Sequence, residues 1–204
     1  MKGCSGALLC GGRSSRMGRD KALIAVDGQP LWRLQFAKLL AVCDDVTVCG
    51  SQNQRALFES GHVRFASDAT ADLGPLSGIA RAMEAAECPR VLILAVDLPK
   101  VSVRYLEGLC EAGRQYGGVV PQRAGRFEGL CAVYPVALLP WVASHLSGPD
   151  RSVHGLIHYG LEKQLLHPLP VLDSEVEMFQ NWNTPQDIPP DATQPPHGSD
   201  SHPT

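Results

Sequence analysis

No stretch of the 204-residue chain comes near the roughly 18 consecutive apolar residues that a membrane-spanning helix needs, so no membrane partner is expected. A basic surplus is missing as well. The formal net charge is -3, whereas dedicated nucleic-acid-binding domains carry excess Lys and Arg, so no nucleic-acid partner is expected either. None of the seven cysteines (4, 10, 43, 49, 88, 110 and 131) lies in a C-x-x-C pair, and their number is odd. Reduced, mostly buried thiols fit that pattern better than a disulfide framework. The opening MKGCSGALLCGGRSS is broken by glycine too early for a secretory apolar region, and a cytoplasmic location is expected. What is present is a hydrophobic content of 44% with 19% charged residues, the composition of a water-soluble globular chain large enough to bury a core.

Short apolar runs alternate with helical patterns. Residues 6–10, 45–50, 63–66, 90–96, 118–122 and 129–135 read as strands. Residues 30–43, 76–87, 102–113 and 137–146 read as helices, with Pro30 at a first helical position and Ser102 as an N-cap. Strands this apolar cannot expose a face, so a mainly parallel sheet covered on both sides is expected, a three-layer α/β/α sandwich. Ligands on such sheets bind beyond the carboxyl ends of the strands, which directs attention to the loops after residues 10, 66 and 96. The domain is expected to span 1–188. From about residue 189 the chain holds five prolines and no aromatic residue, the composition of a disordered tail.

The first of those loops concentrates positive charge. Gly11, Gly12 and Gly18 are interleaved with Arg13, Arg16, Arg19 and Lys21. Converging backbone N–H groups and cations suit a polyphosphate, although a solvated basic turn has the same composition. Neither the P-loop spacing nor G-x-G-x-x-G is present.

The run Leu9, Gly11, Gly12, Ser14, Arg16, Met17, Gly18 and Lys21 reproduces L-x-G-G-x-S-x-R-M-G-x-x-K and resembles the signature of the molybdenum cofactor guanylyltransferase (MobA) family of nucleotidyltransferases. Further segments extend the likeness over about residues 6 to 187: Gly28-Gln29-Pro30-Leu31, Gly74-Pro75-Leu76 with Gly78, Asp97-Leu98-Pro99, and Asn181, Asn183, Thr184, Pro185 and Asp187. The resemblance implies a Rossmann-like nucleotidyltransferase fold and transfer of GMP from GTP to the phosphate of molybdopterin, with release of pyrophosphate. It implies that Leu9, Cys10, Gly11 and Gly12 surround the nucleotide, that Lys21 and Arg16 neutralise its phosphates, and that Asp68 helps bind it. Asp97 is implied to hold Mg²⁺, and Asn181 and Asn183 to contact the acceptor. Molybdoenzymes or their chaperones would receive the product.

The residues themselves leave alternatives open. Capping of a helix or turn is the alternative role for Asp97, and Asp68 and Asn183 have the context of Asx turns. Two asparagines one residue apart on an extended segment point to opposite sides, so only one of Asn181 and Asn183 should face a site directly. Two departures stand out. Glu128-Gly129-Leu130 occupies the place of an H-P-T seen in some members, and Cys49 replaces an asparagine that often helps bind the nucleotide, with Gln52 or Asn53 as stand-ins. Adjacent glycines at 11 and 12 resemble guanine-using members, whereas cytidine-using relatives tend towards Ala-Gly. A CTP-using or sugar- or polyol-phosphate nucleotidyltransferase is the rival enzyme, and a nucleotide-binding chaperone without turnover is the rival outside catalysis. His154 and His158, four residues apart, have helical metal-ligand spacing but no H-E-x-x-H glutamate, and Gly155 weakens a helix there.

Overall fold

The computed structural model describes residues 3–11, 20–58, 63–67, 74–148, 150–182 and 187. The proposed tail from about residue 189, and Gly12, Arg16, Asp68 and Asn183 among the candidate site residues, lie outside the described residues.

The chain opens with β1 (Ser5–Leu9), followed after the glycine-rich segment by a small hairpin of β2 (Ala25–Val26) and β3 (Gln29–Pro30). Then come α1 (Leu31–Val42), β4 (Val46–Gly50), the short α2 (Arg55–Phe58), β5 (Arg64–Ser67), α3 (Pro75–Ala85), β6 (Arg90–Ala95) and α4 (Val103–Tyr116). The second half holds β7 (Val119–Arg123), β8 (Arg126–Phe127), β9 (Cys131–Pro135), α5 (Leu139–Leu146), α6 (Val153–Glu162) and β10 (His167–Pro170). The main sheet runs β10-β7-β9-β6-β1-β4-β5, with β8 paired to β7 off this path.

Strand alternation sorts the core into two layers, because successive side chains leave a strand on opposite faces. Leu8, Val48, Leu92, Leu94 and Val133 meet Leu31, Trp32 and Leu39 of α1 and Leu106, Leu109 and Cys110 of α4. On the other face Ala7, Leu9, Val91, Ile93, Ala132 and Tyr134 meet Leu76, Ile79 and Met83 of α3, Val142 of α5, and Leu156 and Ile157 of α6. The expected three-layer sandwich is therefore the observed one. Of the strands along the path, β9 alone runs antiparallel to both neighbours. Its direction follows from the hairpin before it, where Ala124 and Gly125 both have positive φ and turn β7 into β8 within two residues.

The helix ends follow local chemistry. Ser102 accepts from Tyr105 N at 3.2 Å and caps α4 as expected. Pro30 sits one residue earlier than expected, at the cap of α1 rather than its first helical position. None of the seven cysteines is in a disulfide, and six of them are buried. Among the described residues no helix is long and apolar enough to cross a membrane.

Candidate active site

Register brings three strand ends together. Leu9 at the end of β1 pairs with Cys49 of β4 on one side and with Ala95 of β6 on the other. Just beyond, Cys10 N donates to Cys49 O at 2.8 Å and Val96 N donates to Leu9 O at 3.0 Å. The next residue of that turn is Asp97, so a carboxylate emerges at the mouth of the sheet, the edge where parallel sheets bind ligands. The turn is held from several sides. Trp182 N donates to Asp97 O at 3.0 Å, Gln35 Nε2 to Leu98 O at 2.9 Å and Lys38 Nζ to Pro99 O at 2.7 Å. Gln35 is fully buried, and its Oε1 has no hydrogen-bond partner among the described residues.

Lys21 comes to the same mouth from the far end of the glycine-rich segment, its Nζ 3.1 Å from Asp97 Oδ2. The two side chains are 18% and 21% exposed, which leaves the pair open to exchange partners with a ligand. Asp20 starts the turn that carries Lys21, accepting from Ala22 N at 3.0 Å through Oδ1. Its Oδ2 accepts from Gln54 Nε2 at 2.7 Å, and the same nitrogen donates to Cys10 O at 3.1 Å. Gln54 Oε1 in turn accepts from Ser51 N at 2.9 Å and Ser51 Oγ at 3.3 Å. One amide thus ties residue 10 to residue 20, the two ends of the phosphate-loop candidate, through both donors, while Ser51 holds it through its acceptor oxygen.

Leu9 and Cys10 are buried at this edge and Gly11 is exposed. Burial pushes the Cys10 thiol well above its ordinary pKa, with Asp20 adding to the shift, so it is a poor nucleophile.

Beside Asp97 opens a cavity of about 440 Å³ lined by residues that include Leu98, Phe127, Glu128, Arg151, His154 and Asn181. Asn181 is therefore on the cavity, and Leu98 and Asn181 are chain neighbours of Asp97 and of its hydrogen-bond partner Trp182. His154 and His158 lie on α6 with their Nε2 atoms 2.8 Å apart, and among the described residues no group of three or more metal-ligating side chains forms.

Sequence reasoning put Gln52 or Asn53 in place of the asparagine missing at Cys49; both are exposed, and Gln54 is the amide that reaches the strand end. Its signal was present in Ser51-x-x-Gln54, a capping-box spacing that the structure realises. Gln35 and Lys38 were missed entirely, since polar residues in a helix pattern carry no sign of what they face.

Residues 6–164 match the MobA-like NTP transferase domain. The probable molybdenum cofactor guanylyltransferase of Opitutus terrae is 30% identical over 187 residues, covering 90% of this chain and 92% of that protein. The corresponding protein of Nostoc sp. is 33% identical over 196 residues, covering 92% and 90%. The molybdenum cofactor guanylyltransferase of Pseudomonas putida is 30% identical over 186 residues, covering 90% and 94%. Among solved structures, molybdopterin-guanine dinucleotide biosynthesis protein A from Archaeoglobus fulgidus shares the fold with a TM-score of 0.75 at 24% identity, over 90% of this chain and 94% of that one. With the mouth of the sheet, the Lys21–Asp97 pair and these likenesses together, the chain belongs to the MobA-like NTP transferase domain family.

Proposed function

We propose that the protein transfers GMP from GTP to the phosphate of molybdopterin, forming the guanine dinucleotide form of the cofactor and releasing pyrophosphate, for delivery to molybdoenzymes or their chaperones. The names of the relatives support the substrates. The observation that carries the reading is the lysine–carboxylate pair at 3.1 Å at the mouth of the sheet, flanked by the cavity.

The chemistry asks little of a base. An oxygen of the acceptor phosphate, already anionic, attacks the α-phosphorus of GTP; the bond from that phosphorus to the bridging oxygen breaks, and pyrophosphate leaves with the electron pair. Positioning and charge neutralisation then carry the rate. Lys21 and Arg16 neutralise the phosphates, Lys21 exchanging Asp97 for phosphate oxygens. The backbone of Leu9, Cys10, Gly11 and Gly12 reads the base edge, Asp68 assists in holding the nucleotide, and Asn181 and Asn183 hold the acceptor.

The donor set fits Mg²⁺. Asp97 supplies a hard carboxylate oxygen, and the described residues form no multi-ligand cage, which matches an ion held by one or two carboxylates and substrate phosphates. Bound there by Asp97, Mg²⁺ would neutralise charge developing on the pyrophosphate. The test is pyrophosphate release on mixing protein, Mg²⁺ and molybdopterin with each nucleoside triphosphate. Release with GTP alone is expected; release with CTP in its place would overturn the base assignment.

A further inference from the structure

Glu128 takes no part in the transfer chemistry above, yet it lines the cavity beside Asp97. Its loop is rigid. Glu128 N donates to Pro121 O at 2.9 Å, and Glu128 O accepts from Cys131 N at 3.0 Å. Leu130 O accepts from Ala95 N at 2.8 Å, which ties the loop to the end of β6. Between them Gly129 O accepts from Tyr134 Oη at 2.8 Å, and a Cβ at Gly129 would lie 2.7 Å from Val153 Cγ1 and 2.8 Å from Ile157 Cδ1. A side chain there would force Val153 and Ile157 of α6 to shift. Glu128 itself is half-buried, and among the described residues no donor hydrogen-bonds its carboxylate. Burial pushes its pKa above the usual carboxylate range, with Arg123 and Arg126 partly offsetting the shift. A carboxyl group kept partly dry, without a protein donor, costs folding free energy unless a ligand supplies the donors.

We propose that Glu128 is a specificity-determining residue that reads the ring of the acceptor. Its two oxygens accept from the paired donors on the pyrimidinone edge of a pterin, the ring N3–H and the 2-amino group. This rests on the reading of the acceptor as a pterin phosphate. A bidentate carboxylate matches two parallel N–H donors, and a charged acceptor makes each bond stronger than a neutral one. Arg151 lines the same cavity and supplies positive charge for the acceptor's phosphate. The cavity volume, about 440 Å³, lies within the range of small-molecule sites.

The probes are 6-hydroxymethylpterin and 6-hydroxymethyllumazine, titrated by fluorescence at neutral pH. In the lumazine a carbonyl replaces the 2-amino group, so its edge presents an acceptor beside N3–H. Wild-type protein is expected to prefer the pterin by about 10-fold or more, the value of a charged hydrogen bond lost and a repulsion gained. Glu128→Gln offers one acceptor and one donor, so the preference should move towards the lumazine, an outcome that a merely structural role for Glu128 would not produce. Equal binding of both probes to wild type, or an unchanged preference in Glu128→Gln, overturns the assignment. Thermal stabilisation by GTP with Mg²⁺, measured on the same samples, separates the two layers. If it is present while ring preference is absent, Glu128 alone is wrong. If GTP does not stabilise the wild type, the nucleotidyl-transfer reading beneath it fails.

Discussion

At Gln54 a single side chain spends both of its donors on the two ends of a loop and is itself held by Ser51. Gln54→Ala removes the bonds to Cys10 O and Asp20 Oδ2. A hydrogen bond to the neutral Cys10 carbonyl and one to the Asp20 carboxylate contribute together about 2–4 kcal/mol, so the melting temperature without ligand should fall by several degrees and GTP affinity should fall roughly 10-fold or more. Gln54→Glu should be worse, because it sets a carboxylate against the Asp20 carboxylate and the Cys10 carbonyl. Isothermal titration with GTP and Mg²⁺ checks both, and unchanged affinity in Gln54→Glu would remove Gln54 from the loop's support. Asp97→Asn keeps the shape of the side chain and the backbone bond from Trp182, so the fold should persist while the rate of pyrophosphate release drops on the order of 100-fold or more. The sequence made Lys21 and Asp97 visible through motif spacing. It left Gln54 hidden in Ser51-Gln52-Asn53-Gln54, where three amides compete and only the turn geometry selects one.

Among the elements, α1 does more than cover the sheet. Gln35 and Lys38, one turn apart, reach the carbonyls of Leu98 and Pro99 and so set the turn that presents Asp97. Burial lowers the pKa of Lys38 from 10.5 to about 8. Between about pH 8 and 10.5 the unfolded chain therefore binds more protons at this residue than the folded one, and its contribution to stability rises with pH across that window. Below it the cost of burying the charge is present in full. Lys38→Met lacks the titration, so denaturant melts should show wild type gaining on Lys38→Met as pH is raised from neutral to about 10.5; a constant difference would mean that Lys38 stays charged throughout. The elements that the sequence concealed share a physical reason. The α6 helix contains Gly155 and Gly160, which weaken helical periodicity; Gly160 is needed because a Cβ there would lie 2.6 Å from Leu166 Cδ1. The β10 strand carries Pro168 and Pro170, tolerated only because it is an edge strand. The apolar strands and the amphipathic α3 and α4 were legible because tertiary packing and local pattern agree in them.

For the whole molecule, the sheet sets the Lys21–Asp97 pair and the cavity lined by Leu98 and Asn181 beside one turn, residues 97–99. The loops that meet there are distant in sequence, with Lys21, Gln54, Asp97, Glu128 and Asn181 supplied by different segments. A ligand that joins them acts only on the folded state and must stabilise it as a unit. GTP with Mg²⁺ at about 100 times its dissociation constant adds about 2.7 kcal/mol, and at roughly 2–4 °C per kcal/mol for a chain of this size the melting temperature should rise by roughly 5–10 °C. Net charge is -3, so on the proposed reading the attraction comes from Arg13, Arg16, Arg19 and Lys21, close together in the sequence, rather than from the protein's overall charge. Its range is set by the Debye length, about 10 Å at 0.1 M salt and about 3 Å at 1 M, so the shift at fixed GTP should shrink as salt is raised between those limits. Differential scanning fluorimetry across that series decides the point. A shift that is indifferent to salt, or equal for GTP and CTP, would mean that the cluster and the paired glycines do not govern nucleotide binding.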